Sequence, residues 1–326
     1  MPDSNTKILL HLGFPKTGTT TLQNGFFYQF YKENFNLNYL GITNKETDNR
    51  LHKLREKIKL WIKSSDEKNE KELLLFLKKY LKNGFNICSE EALLNSYQNP
   101  PKLFNPELVK NVFSKLSNDI QILILIRNQT EMIYSLYAHS GGKYANSKYN
   151  TSHKFIDYCI NDIENNYYFK FYNVIKSYQK FFGEKNVHIL FFEDLKYNSE
   201  YFFKQLAEVL QQPFDDIKNS LVKTHFWKKE RSLDGSYYKV LKNSRKWHSF
   251  IKQSLFTEII KKLLFKLNIY NNFKRLIKID ATFKYLIPKF TDQQNQIIKK
   301  HFYNNNLKLI KLLKCESEKL KKYNYL

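Results

Sequence analysis

Cysteine, glycine and proline are all scarce in this chain of 326 residues. The three cysteines, Cys88, Cys159 and Cys315, are widely separated and form neither a CxxC pair nor a zinc-ligand pattern. Because one thiol of three must stay unpaired, the sequence does not favour a disulfide framework and fits a reducing compartment. With only 9 glycines and 7 prolines, turn signals are few, so a short stretch that holds two glycines and a proline is conspicuous.

Long apolar runs are also lacking. The longest in the first half of the chain, residues 120–126, is far too short to cross a bilayer. The first residues, MPDSNTK, lack the basic and apolar regions of a signal peptide. These two absences predict a soluble, cytoplasmic protein with at most peripheral contact with an anionic membrane. No internal repeat or disordered low-complexity tract interrupts the chain.

Acidic residues are outnumbered, with 31 Asp and Glu against 54 Lys and Arg and a net charge of +23. Such an excess favours polyanionic partners: nucleic acid, an anionic membrane surface or an acidic glycan. A compositional bias toward Lys, Asn, Ile, Phe and Tyr accounts for the charge equally well, because the basic residues are spread along the chain. Charge alone therefore does not choose a partner.

Short apolar runs alternate with stretches of helical periodicity. The runs that predict strands cover residues 8–12, 38–42, 85–89, 120–126 and 187–192. Strands separated by helices indicate βαβ units, so the expected fold is α/β, with a central, mainly parallel sheet flanked by helices. Residues 1–326 are predicted to form a single domain, with helical insertions at about 45–83 and 145–182 and a helical part at about 249–326.

The stretch 7–23, KILLHLGFPKTGTTTLQ, joins the first predicted strand to a helix that begins near Thr19. A strand, a glycine-bearing turn and a helix N-terminus aim free backbone N–H groups and the positive end of a helix dipole at one place. Lys16 adds a full charge, and the threonines around it add hydroxyl donors. Since Lys16 precedes Gly18 by two residues, the order is not that of a Walker A loop. The stretch predicts a pocket for a phosphate-like anion.

Polar groups also follow other predicted strands: Glu90-Glu91, Arg127 and Glu193-Asp194. Ligands of parallel sheets bind at the carboxyl ends of the strands, so these groups are expected to lie together near Lys16. An arginine grips a phosphate with two N–H groups at once. Ser135, eight residues after Arg127 on the next predicted helix, can add a hydroxyl to the same phosphate.

The order PKTGTT at residues 15–20 resembles the loop that binds the phosphosulfate end of 3′-phosphoadenosine-5′-phosphosulfate (PAPS) in sulfotransferases. The segment 123–137 is similar to the part of these enzymes that holds the 3′-phosphate, although the family often has proline where this chain has Gln129. Weaker similarity extends to residues 86–94, 187–195 and 290–312. The resemblance implies a P-loop NTPase-like, three-layer α/β fold.

The resemblance also implies roles for individual residues. The 5′-phosphosulfate would be bound by Lys16, Thr17, Gly18, Thr19, Thr20 and Thr21, the 3′-phosphate by Arg127 and Ser135, and the nucleotide would be covered by a late loop with Arg231 and Ser232. Glu90 is the expected general base, with Glu91 and His139 as alternatives. Lys16 would also stabilise charge on the bridging oxygen of the leaving group. No metal is expected.

The implied function is transfer of the sulfuryl group from PAPS to an acceptor hydroxyl, with PAP as the product. A carbohydrate or glycoconjugate acceptor is preferred, because the base resembles that of glycan-type members and a basic surface suits acidic sugars. Two other functions stay open. A Mg-ATP-dependent kinase is disfavoured by the missing Gly-Lys-Ser/Thr order, and a nucleic-acid-binding protein rests on the charge and on aromatics among basic residues, although no nucleic acid is expected for a sulfotransferase.

Overall fold

The computed structural model describes residues 5–33, 36–41, 49–64, 66–94, 104–144, 151–161, 169–222, 237–242, 282–314 and 317–326. The chain divides into two compact units. The first comprises Met1–Trp227 and Phe290–Leu326, and the second comprises Lys228–Lys289. The single domain expected over residues 1–326 stays a prediction.

The central sheet of the first unit contains five parallel strands. They are β1 (Thr6–Gly13), β2 (Leu37–Gly41), β3 (Gly84–Ser89), β4 (Asp119–Ile126) and β5 (Val187–Phe191). Their order is β2-β3-β1-β4-β5, so the predicted strands and the α/β fold with a parallel sheet are confirmed. After β1 the chain adds strands on one side and later on the other, and such a switch point is where open α/β sheets bind ligands.

Helices connect and flank these strands. After β1, a continuous helical stretch consists of α1 (Thr19–Thr21), a π-helical turn (Leu22–Phe27) and α2 (Tyr28–Lys32), and α3 (Asn49–Ser64) and α4 (Glu67–Tyr80) precede β3. Then come a 3₁₀ turn (Glu91–Leu93), α5 (Pro106–Phe113), α6 (Gln129–Tyr144), α7 (Ser152–Asn161), α8 (Phe171–Phe182) and a 3₁₀ turn (Glu184–Asn186). After β5 lie α9 (Phe192–Tyr197), α10 (Ser199–Leu210), α11 (Phe214–Val222), α12 (Asp292–Leu313) and α13 (Ser317–Lys322). No helix in these described ranges is both long and apolar enough to cross a membrane.

Both faces of the sheet are buried. On one face, the side chains of Leu9, Ile87 and Leu123 belong to a core cluster with Phe26 of the helical stretch and Phe202 of α10. The residues that alternate with them, such as those at positions 10, 122 and 124, are equally buried, and α8 contacts β4 and β5. Near-continuous aliphatic runs such as DIQILILI are the composition that a parallel strand covered on two faces requires.

The end of α6 differs from the prediction. The Gly141-Gly142 pair predicts a stop after His139, whereas α6 continues through both glycines to Tyr144. A glycine inside a helix costs only about 1 kcal/mol relative to alanine, which neighbouring helical turns can offset. By contrast, the residues Ser64-Ser65-Asp66 predict a break between two helices, and this prediction is confirmed. Helix α3 ends at Ser64, and the side chain of Asp66 caps α4 by accepting from the N–H of Asn69.

The second unit contains an antiparallel strand pair among its described residues, β6 (Tyr237–Lys242) and β7 (Thr282–Ile287). The sequence predicts irregular structure over residues 223–247 and helices from about residue 249 onward, and both predictions are wrong where these two strands lie. Aromatic and β-branched side chains favour strands, but the pairing joins segments about 40 residues apart. Local periodicity carries no signal of such a distant partner.

Candidate active site

The loop between β1 and the helical stretch has a backbone that few residues adopt. Lys16 and Gly18 both have positive φ, at 68° and 91°, and a non-glycine residue pays for this conformation. A Cβ added at Gly18 would lie 2.9 Å from the ring of Phe192, so glycine is required there by both φ and space. The hydroxyl of Thr17 donates to the backbone oxygen of Phe14 at 2.7 Å, which closes the loop from inside.

The helix start after this loop presents its N-terminus toward Lys16. The N–H groups of Thr21 and Leu22 donate to the oxygen of Gly18 at 2.9 and 3.1 Å, so the intrahelical bonding begins there. The earlier N–H groups of any helix lack intrahelical acceptors, which makes this end suited to an anion. Thr20 is exposed and Thr21 partly exposed, whereas Thr17 and Thr19 are buried.

Arg127, the first residue after β4, is joined directly to the Lys16 loop. One of its terminal nitrogens, Nη1, donates to the backbone oxygen of Lys16 at 2.9 Å, and Nη2 pairs with Glu131 at 3.0 Å. The guanidinium lies over the ring of Phe192, 4.7 Å from its centroid, in the geometry of a cation–π contact. Arg127 is only 5% exposed. Two segments that the sequence links to anions therefore meet at one place.

A pocket of about 550 Å³ opens beside Arg127. Its lining combines residues of α6, α9 and α12 with the end of the chain: Arg127, Asn128, Thr130, Glu131, Phe192, Glu193, Lys196, Tyr197, Asp292, Asn295, Gln296, Lys299, Lys322, Tyr323 and Asn324. Ser135 is buried on α6 and is not part of this lining. His139, four residues further along, is exposed, so the two side chains do not share an environment.

The two glutamates after β3 have different surroundings. Glu90 is buried, and its carboxylate caps the 3₁₀ turn by accepting from the N–H of Ala92 at 3.2 Å. Glu91 is partly exposed and shares a side-chain hydrogen bond with Thr19, the first residue of α1. Thr19 directly follows the loop of residues 14–18, which is called the anion loop below because the sequence predicts an anion there. Burial, followed by the charge of Glu90, raises the pKa of Glu91 to about 7, although Arg55 and Lys16 act in the opposite direction. The pair is thus in electrostatic contact with Lys16.

A buried polar network lies beneath these glutamates. The hydroxyl of Ser89 contacts Nδ1 of His11 at 2.7 Å and accepts from Nε2 of Gln23 at 3.0 Å. Burial lowers the pKa of His11 to about 3, so the imidazole stays neutral. The network ties β1, β3 and the helical stretch together behind Glu90. The sequence does not predict this network, and its only signal is a histidine inside an otherwise aliphatic strand.

Glu193 and Asp194, at the end of β5, bind the last residues of the chain. Glu193 accepts from the backbone N–H of Asn128 at 2.9 Å and from the phenol of Tyr325 at 3.2 Å. Burial is the main cause that raises the pKa of Glu193 to about 7. Asp194 binds Lys319 and the phenol of Tyr323. No sequence pattern pointed to this use of the segment 317–326.

Two predicted site residues lie outside the described part of the chain. These are Arg231 and Ser232, which were assigned to the loop that covers the nucleotide. Cys315 lies outside it as well, while Cys88 and Cys159 are buried.

Comparison with known proteins places the chain among sulfotransferases. A sequence model of the sulfotransferase domain matches residues 6–308. Similar solved structures include a sulfotransferase from Alicyclobacillus acidocaldarius, with 13% identity, a TM-score of 0.44 and coverage of 72% of this chain and 88% of that one. Mouse sulfotransferase SULT7A1 complexed with PAP has 14% identity, a TM-score of 0.38 and coverage of 86% and 91%. Comparison with curated proteins gave no match.

Proposed function

The chain belongs to the sulfotransferase domain family, and from this premise we propose that it moves the sulfuryl group of PAPS to a hydroxyl group of an acceptor. One observation carries the proposal: the guanidinium of Arg127 donates to the backbone oxygen of Lys16 at 2.9 Å. The contact joins the two segments that the sequence assigns to the two anionic ends of the donor. A nucleotide with anionic groups at both its 3′ and 5′ positions needs two neighbouring cationic sites of this kind.

The residues present fit such a donor. A guanidinium has five N–H donors, and in the described part of the chain Lys16 and Glu131 take one each. The side chain of Glu131 is 40% exposed, so it can turn toward solvent when a phosphate competes for Arg127. Arg127 would hold the 3′-phosphate, whereas Ser135 is buried and does not line the pocket beside Arg127, so the fit at this end rests on Arg127. Lys16 and residues 17–21 would hold the phosphosulfate.

Bound PAPS supplies a sulfuryl group on a phosphate leaving group, and the protein supplies position and charge. Lys16 stabilises negative charge on the bridging oxygen. Glu90 would take the proton of the acceptor hydroxyl as general base. The two hydrogen bonds of Ser89 fix the strand end that carries Glu90. Glu91 links the pair to the anion loop through its side-chain hydrogen bond with Thr19.

A carbohydrate or glycoconjugate is the acceptor that we propose. The net charge of +23 supports an acidic glycan, since a basic surface attracts it from solution. The carboxylate base is consistent with this choice by analogy to glycan-type sulfotransferases. Transfer of labelled sulfate from PAPS to a panel of glycans, lipids and phenols tests the acceptor class, and labelling confined to phenols would contradict it.

Calorimetric titration with PAP tests the donor site. We expect Arg127→Ala to weaken PAP binding by about 10²-fold, because a charge-assisted hydrogen-bond pair is lost, and Lys16→Ala to abolish detectable sulfuryl transfer. Lys71→Ala, which removes an exposed lysine of α4, is the matched control and should change neither quantity. Unchanged PAP affinity in Arg127→Ala would contradict the assignment of the 3′-phosphate site. Thermal stabilisation by Mg-ATP but not by PAP would instead favour a kinase.

A further inference from the structure

The turn between β4 and α6 is held by residues from the far end of the chain. Asn128, buried at 3% exposure, follows Arg127 directly. Its side-chain Nδ2 donates to the backbone oxygen of Tyr323 at 3.1 Å and also to that of Asn324. Its Oδ1 accepts from the N–H of Glu131 and so caps α6. One side chain therefore fixes both the start of the helix and the position of the chain end.

Gln129, the next residue, forms a reciprocal amide pair with Asn306 of α12. Nε2 of Gln129 donates to Oδ1 of Asn306 at 2.9 Å, and Nδ2 of Asn306 donates back to Oε1 of Gln129 at 3.2 Å. Asn306 also donates to the backbone oxygen of Tyr325 at 2.7 Å. Both amides are buried, so loss of either partner would leave an unsatisfied polar group in the interior.

Residues 323–325 are themselves anchored at several points. The phenol of Tyr323 donates to Asp194 at 2.6 Å, and the phenol of Tyr325 donates to Glu193 at 3.2 Å. The ring of Tyr325 packs against Phe171 and Phe191, with centroids 6.4 and 5.8 Å apart. Glu193 in turn accepts from the N–H of Asn128. The segment is thus a fixed support for the turn.

We propose that Asn128, Gln129, Asn306 and residues 323–325 form a clamp that positions Arg127 for the anionic donor. The inference rests on the proposed function, in which Arg127 binds the 3′-phosphate. An arginine on a fixed turn loses less conformational entropy when it binds, so holding the turn raises affinity without any new contact to the ligand. The sequence model of the sulfotransferase domain ends at residue 308, so the clamp draws its last three residues from beyond the matched region.

A role in stability alone is the competing explanation, and proline at position 129 separates the two. Gln129 is the first residue of α6. Proline is favoured at this helix position because its φ is already fixed and no hydrogen-bond partner for its nitrogen is needed. Gln129→Pro therefore restricts the backbone of the turn through the proline ring. In the Asn306→Ala background, it also removes the buried amide of Gln129, which would otherwise lack its partner.

The experiment measures PAP affinity by calorimetry and KM and kcat for PAPS in single and double variants. We expect Asn306→Ala to raise the PAP dissociation constant and the KM for PAPS by about fivefold with kcat within about twofold, because hydrogen bonds to the clamp are lost but the reacting groups stay. The double variant Gln129→Pro/Asn306→Ala should return to within about twofold of the wild type. Asn304→Ala, at an exposed position of the same helix, is the matched control.

Each of the other outcomes would contradict either the clamp or the proposed function on which the clamp rests. Asn306→Ala that unfolds at lower temperature but binds PAP as the wild type does would overturn the clamp and leave the proposed function standing. Failure of the proline to restore affinity would also overturn it. If Asn306→Ala does not fold, Tyr325→Phe, which removes only the hydroxyl on Glu193, takes its place with the same expected weakening. A wild-type chain that does not bind PAP would overturn the proposed function together with this inference.

Discussion

At the scale of single residues, the Glu90–Glu91 pair shows how neighbours in sequence acquire different chemistry. Glu90 is buried at a fixed strand end, and Glu91 is partly exposed beside Thr19 and Lys16. The charge of Glu90 contributes to raising the pKa of Glu91 to about 7, so the two carboxylates are electrostatically coupled. A base must be unprotonated, and activity should therefore rise as pH increases through this value.

We expect the kcat/KM of the wild type to show an acidic limb with an apparent pKa near 7. Glu90→Gln should lower kcat by about 10²- to 10⁴-fold, because the general base is lost. Glu91→Gln should cost far less and should move the limb to lower pH, since it removes the carboxyl group whose pKa is raised to about 7. Rate–pH profiles of the two variants measure both effects.

Glu208→Gln, at an exposed position of α10, serves as the control and should leave the profile unchanged. A larger loss in Glu91→Gln than in Glu90→Gln would move the base to Glu91. An unshifted limb in both variants would exclude the pair as the titrating group.

At the candidate site, the proximity of Lys16 and Arg127 could be predicted from the sequence, because each carries a full charge near a strand end, and the structure places these two residues in contact. Contacts that depend on a distant partner could not be predicted. His11 and Gln23 matter through Ser89, which is more than 60 positions away in sequence. Asn and Gln usually lie at protein surfaces, so the sequence gives no sign that α6 and α12 bring the amides of Gln129 and Asn306 together.

At the scale of elements, the loop of residues 14–18 follows β1, carries Lys16 and contacts Arg127. The ring of Phe192 lies next to Gly18 and also under the guanidinium of Arg127. A side chain at position 18 would therefore displace the ring on which Arg127 stacks. Because this loop approaches α9 closely, we expect a substitution at Gly18 to affect both the backbone and the surroundings of Arg127.

Gly18→Ala and Gly84→Ala separate these two effects. Both glycines have a φ near +90° (91° and 93°), but an added Cβ meets Phe192 at 2.9 Å only at Gly18, and nothing within 4 Å at Gly84. We expect Gly84→Ala to lower the free energy of unfolding by about 1 kcal/mol through backbone strain alone and to leave PAP affinity unchanged. Gly18→Ala should be more destabilising and should weaken PAP binding by about tenfold or more, since Arg127 loses its stacking partner.

Denaturant unfolding and calorimetry measure the two quantities. Equal effects of both substitutions on PAP affinity would contradict the coupling of Gly18 to Arg127 through Phe192.

Elements were predictable to the extent that their signal is local. The strands β1, β3, β4 and β5 are short aliphatic runs between turn signals, and the sheet places them where the pattern predicts. The end of α6 was not predictable from its two glycines, because helix continuation there depends on the surroundings. The π-helical turn after the anion loop has no sequence signature of its own, although such turns are frequent near functional sites.

At the scale of the whole molecule, neither the sequence nor the fold identifies a binding partner that accounts for the net charge of +23. The anion loop and Arg127 account for only two of the 54 basic residues. A charge spread over a surface acts on diffusing partners at long range and is screened within about 8 Å at physiological salt. An acidic acceptor should therefore respond to ionic strength, and a neutral acceptor should not.

The comparison of an acidic with a neutral oligosaccharide acceptor, each at 50 and 300 mM salt, tests whether the charge serves recognition. We expect the KM of the acidic acceptor to rise about tenfold across this range, because steering by surface charge weakens with screening, while that of the neutral acceptor changes less than about twofold. The affinity for PAP should fall less steeply than that for the acidic acceptor, since Arg127 is buried and buried charges are screened less. Equal salt dependence of the two acceptors would mean that the basic surface does not recognise the substrate, and the bias toward lysine would then be a matter of composition.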